Sequence, residues 1–169
     1  MTAEFSHDVP LVKIRSDGLR VVVTATAAEC AVLAERMGIP AVHTLMCAFT
    51  LIPAENDPGR IQATGVLNAR VTRECVVSAE DFEMPVQDRF VVFFVPEAKE
   101  SEDLDPDKED EISYRGDAID LGEAAAEQLA LALDPYPRIE GATMAETEPD
   151  ADQSPFAALA KLRGTGGSA

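Results

Sequence analysis

IQATGVLNARVTRECVV, residues Ile61 to Val77, carries the clearest periodicity in the chain. Its odd positions, Ile61, Ala63, Gly65, Leu67, Ala69, Val71, Cys75 and Val77, are small or apolar, with Arg73 the exception. Its even positions include Gln62, Thr64, Asn68, Arg70, Thr72 and Glu74. A period of two is the repeat of a β-strand with one dry face and one wet face. Seventeen residues is long for one unbroken strand, so Gly65 is expected to mark a bend or bulge.

Just upstream, PAENDPGR (Pro53 to Arg60) supplies turn chemistry through Asp57, Pro58 and Gly59. Before it, Val42 to Ile52 is a second extended segment, and the two make a long hairpin. Downstream, a short turn near Ala79 to Asp81 leads into Val86 to Val95, whose FVVFFV is apolar on both faces and is expected to be the most buried strand. Leu19 to Thr26 is rich in β-branched residues and reads as a further strand. Thr26 with Glu29 forms a capping-box pattern, and Cys30, Leu33, Ala34 and Met37 repeat at helical spacing until Gly38 and Pro40 stop the helix. A second helix opens at Asp120 in IDLGEAAAEQLALALDPYP, with Glu123 placed to complete its cap. Leu121, Ala125, Leu129, Ala132 and Leu133 form its apolar stripe, and Pro135 and Pro137 end it. The expected class is α+β: an antiparallel β-sheet built on the long hairpin with two packed helices, plus an acidic loop and a C-terminal tail.

The chain has 169 residues, with 14 Lys and Arg against 31 Asp and Glu, a formal charge of −17. That excludes a generally basic nucleic-acid wrapper. No stretch approaches the roughly 18 apolar residues that span a bilayer, and MTAEFSHDVP is neither a signal nor a transit peptide, so no membrane role and a cytoplasmic location are expected. Nine of the fifteen residues in EAKESEDLDPDKEDE, Glu97 to Glu111, are acidic, and this run reads as a mobile loop. GATMAETEPDADQSP, 141–155, reads as a polar linker. The expected organisation is a domain over 1–140, the linker, a short amphipathic motif over 156–163 and a flexible tail over 164–169. In the motif Phe156, Leu159, Ala160 and Leu162 share one side, with Lys161 and Arg163 at its charged edge. An octamer is too short to be helical alone in water. It therefore needs a surface, either a partner's or that of its own domain.

Chemistry-bearing residues are sparse. GTGG near the end lacks the strand and helix of a phosphate loop. Cys30, His43, Cys47 and Cys75 are a conceivable metal set, because His43 and Cys47 share strand parity. They fall on apolar faces without a local clamp, so core packing is the reading and no metal or cofactor is expected. Cys75, beside Arg73 and Glu74, is the one mild nucleophile candidate. No catalytic residue is assigned, and the chain reads as a non-enzyme. Arg60, Arg70 and Arg73 could join Lys13, Arg15 and Arg20 in a small positive patch, or be scattered cations on a sheet.

Three blocks in order resemble the YceD family of large ribosomal RNA subunit accumulation proteins: GVLNARVTRECVVSAEDFEMPV leading on to DRFVVFFVPE, then IDLGEAAAEQLALALDPYP, then SPFAALAKLR. Ser78 stands where many members of that family carry a second cysteine, so a metal held through that pair is not expected here. The resemblance implies a non-enzymatic role in accumulation or processing of 23S rRNA, in a lineage whose gene often neighbours that of a small basic ribosomal protein. With a charge of −17, the expected partner is that kind of basic large-subunit ribosomal protein or a pre-ribosomal particle, with any rRNA contact indirect. Arg70, Arg73, Asp120, Phe156, Leu159, Lys161, Leu162 and Arg163 are the expected partner-binding residues. The alternative is a general acidic interaction module or holdase unrelated to ribosomes.

Overall fold

The dry face of Ile61 to Val77 is the floor of the core. Ala63, Leu67 and Val71 are fully buried in a computed structural model that describes residues 5–99 and 110–143. Along the chain run β1 (Asp8–Pro10), β2 (Leu19–Thr24), α1 (Ala27–Met37), β3 (Ala41–Pro53), β4 (Ile61–Glu74), β5 (Asp81–Pro96), β6 (Glu111–Tyr114), β7 (Ala118–Asp120) and α2 (Leu121–Ala132). Strands β2 to β6 form one sheet in sequence order, and β1 pairs with β7 in a second, two-stranded sheet. The class is α+β, with every pairing antiparallel except that of β5 with β6.

The predicted hairpin is β3 and β4, with Pro53 opposite Ile61 and Phe49 opposite Gly65. The bulge expected at Gly65 lies elsewhere, since β4 keeps an unbroken register with both neighbours through that position. The irregularity is in β3, between Val42 and Thr44. Gly65 serves packing. A Cβ there would lie 2.6 Å from Phe90 Cε1 and Cε2, so the ring occupies the space a side chain would need. Phe49 and Phe90, the partners of Gly65 on either side, meet edge to face with centroids 5.8 Å apart.

Helix α1 has its capping box: Glu29 N–H donates to Thr26 Oγ1, and Thr26 N–H donates to the Glu29 carboxylate at 2.7 Å. Gly38, at φ 63°, closes it. Cys30, Leu33 and Ala34 enter a core shared with Leu45, Phe49, Leu51 and Leu67, and with Ala124, Ala125 and Leu129 of α2. Each large side chain in it contributes about 1.5–3 kcal/mol of burial. Strand β5 is not the most buried strand. Val91 is exposed and Phe93 half-buried, because β5 alternates over one covered face as β3 and β4 do. The ends of the acidic run are also ordered: Glu97–Lys99 is a 3-10 turn and Glu111 begins β6. Residues 100–109 and the 156–163 motif lie outside the described residues.

A candidate acid-lined interaction groove

Helix α2 is tied to the N-terminal segment by its own cap. Asp120 Oδ1 accepts from Gly122 N–H at 2.9 Å, Glu123 N–H at 3.1 Å and His7 N–H at 2.8 Å, while Leu121 N–H donates to His7 O. Gly122 permits the approach, since a Cβ there would lie 2.7 Å from Phe5 O. Glu123, expected to complete the cap, instead grips Arg36 of α1 through both guanidinium nitrogens at 2.7 and 3.0 Å.

Beside this cap, β6, β7, α2 and Asp8 enclose a groove of about 520 Å³ lined by five carboxylates: Asp8, Glu111, Asp120, Glu123 and Glu127. Strand β6 forms an edge of the five-stranded sheet. Arg60 binds Glu111 at 2.6 Å and stacks over Phe93, and Arg115 binds Glu97 and holds that carboxyl below its ordinary range. Asp8 and Glu127 have no ion-pair partner among the described residues. Burial, with the Glu123 charge second, pushes the Glu127 carboxyl up, and Arg36 only partly offsets this. With Arg115 the one cation among its lining residues, the groove holds an excess of acid where a further cation would be favoured.

The cationic patch is not assembled. Arg60, just before β4, and Arg70 within it stand about 33 Å apart at strand rise. Arg70 pairs with Glu83 at 2.9 Å on the open face, whereas Arg73 points to the other side, towards Met37–Pro40 and Pro135–Pro137. Arg73 Nη1 is buried without a hydrogen-bond partner among the described residues. Asp120 acts as a cap, and Phe156, Leu159, Lys161, Leu162 and Arg163 lie outside the described residues.

Cys30 and Cys47 are buried in the core, where desolvation raises both thiols, that of Cys47 to about 12. The bulge in β3 reverses parity, so His43 is exposed against Thr72 Oγ1 and does not share a face with Cys47 as its spacing suggested. Cys75 is buried apart from them, its thiol lowered to about 7 chiefly by the Ser78 hydroxyl and then by Ile139 N–H. Among the described residues no cluster of three His, Cys, Asp or Glu could hold a metal ion, and no helix is long and apolar enough to cross a membrane.

Sequence reasoning missed the groove because its carboxylates come from segments more than 100 residues apart. Their one advance signal was the acidity left after the 97–111 run is set aside, 12 basic against 22 acidic residues. A family model described as "Large ribosomal RNA subunit accumulation protein YceD" matches residues 63–163, from inside β4 through α2 to the end of the terminal motif. No curated protein and no solved structure matches the chain.

Proposed function

Because the chain belongs to the YceD family of large ribosomal RNA subunit accumulation proteins, we propose that it supports accumulation of that RNA by holding a basic ribosomal protein or a pre-ribosomal particle, without catalysis. The observation that carries this reading is the groove beside the β6 edge, lined by five carboxylates against Arg115, with Asp8 in no ion pair among the described residues and Glu127 only partly offset by Arg36. An extended Lys- and Arg-rich segment fits that chemistry, since opposite charge steers encounter and an open strand edge accepts a polypeptide. Glu111, the last residue of the acidic run, is one of the groove's carboxylates, and Glu97 at the run's start pairs with Arg115 on the groove wall. Naked rRNA is the poorer ligand for a −17 chain, because phosphate binding needs cations to release counterions. The protein then works in the cytoplasm.

The test pairs gene deletion with charge reversal in the groove. Deletion is expected to lower mature 23S rRNA relative to 16S, and an Asp8→Lys, Glu127→Lys protein is expected to restore it poorly and to capture fewer ribosomal proteins. Unchanged rRNA on deletion under every growth condition refutes the role. A reversed-charge protein that captures the same basic partners refutes the site. Capture of many acidic-binding proteins and no ribosomal component favours a general acidic module.

A further inference from the structure

The open face of the five-stranded sheet carries an apolar strip that neither helix covers. Val22, Met46, Ile52, Val66 and Val91 are 59, 42, 45, 36 and 44 % exposed, half of the ten large apolar side chains exposed among the described residues. The register sets them together. Val22, Ala48 and Val66 form one cross-strand row that ends at Arg89, Thr24, Met46, Asn68 and Gln87 the next, and Arg20, Thr50, Thr64 and Val91 the row on the other side. Two shallow depressions of about 410 and 510 Å³ adjoin here and share Asn68 and Gln87. The first is mainly apolar with Arg70 at its border, and Asp88 and Arg89 both line the second. Exposed apolar side chains gathered on an otherwise polar sheet face mark a docking site.

We propose that this face receives the chain's own 156–163 segment, with Phe156, Leu159 and Leu162 seated across β3, β4 and β5. Length and end point favour this occupant. The chain is pinned beside the end of β4, where Val76 N–H donates to Pro137 O and Ile139 N–H to Cys75 Sγ. From there Asn68 lies seven residues back along β4, about 23 Å. Twelve residues separate Thr143, the last described, from Phe156, and the thirteen Cα–Cα steps can reach about 45 Å. In helical form Phe156 to Leu162 spans about 9 Å, and three neighbouring strands span about 10 Å. This site is separate from the groove and does not depend on its ligand.

The test is tryptic cleavage after Lys161 in the purified full chain, followed by mass spectrometry. Cleavage is expected to be at least about tenfold slower than in a free 144–169 peptide, since proteolysis reports the population of the open form. Phe156→Asp and Val66→Asp are each expected to abolish that protection, the second with circular dichroism unchanged. If Val66→Asp misfolds, benzoylphenylalanine at Leu159 decides, with intramolecular crosslinks expected in Thr44–Met46, Val66–Arg70 or Pro85–Val91. Equal cleavage of chain and peptide, protection that grows with protein concentration, or crosslinks confined to other surfaces or to a second copy each overturn the proposal.

Discussion

Replacing Asp120 by Ala is expected to lower stability by about 2–3 kcal/mol. Two of its three bonds, to Gly122 and Glu123 N–H, are a helix cap, whose loss costs about 1 kcal/mol and at most about 2. The third, 2.8 Å from His7 N–H, joins segments 113 residues apart, and a charge-assisted bond of that kind contributes about 1.5 kcal/mol. With a urea slope near 2 kcal/mol per molar, the midpoint should fall by about 1–1.5 M. Asp120→Asn keeps an oxygen acceptor and loses only the charge at the helix N-terminus, so its loss should stay below about 1 kcal/mol. Urea unfolding followed by far-ultraviolet circular dichroism measures both, and capture of ribosomal proteins by the Asn variant separates capping from partner contact. If the Ala midpoint stays within about 0.3 M of the parent, or Asn is as damaging as Ala, the cap does not hold the N-terminal segment as described.

Gly65→Ala should cost about 1–3 kcal/mol, because its Cβ would displace the Phe90 ring from Phe49; thermal unfolding should show most of this cost vanish in a Phe90→Leu background, and an equal cost in both would refute the packing role. Ser78→Ala should raise the Cys75 thiol from about 7 towards the ordinary 9.0, read by thiolate absorbance near 240 nm. The folded value lies below the unfolded one, so the thiolate's stabilisation is complete above pH 9, declines as pH falls from 9 to 7 and is absent below; the parent's urea midpoint should lose this increment over that window and the Ala variant's should lose less, because the Ile139 N–H remains. Arg36→Gln should push the Glu127 carboxyl further up, because Arg36 is the charge that lowers it, and a carboxyl carbon titration by nuclear magnetic resonance that moves down instead would contradict the groove's electrostatics.

Local signals in the sequence matched local structure closely. The alternation in Ile61–Glu74, the Thr26–Glu29 box, the Gly38 stop and the Asp120 cap are each written within a few residues, and each forms as read. Failures came where a distant residue decided. Gly65 looked like a bulge because its tenant, Phe90, is twenty-five residues away. Glu123 looked like a capping carboxylate until Arg36, eighty-seven residues earlier, claimed it. FVVFFV looked buried on both sides because composition does not say that only one face of the sheet has helices on it. The one-residue slip at Val42–Thr44 defeated a parity argument about His43 for the same reason. The acid groove is the extreme case: Asp8 and Glu127 share no motif, and only the completed fold brings them together.

Pairing of β1 with β7 also sets a timetable for synthesis. Strands β2 to β5 each pair with the next strand made, so they can zip as they appear. Asp8 must wait for Asp120, which at 5–20 residues per second arrives roughly 6–22 s later. Strand β1, made before the whole five-stranded sheet, is therefore placed after most of it, and a bulky domain fused just ahead of β1 should delay this closing step more than one fused after the 156–163 segment.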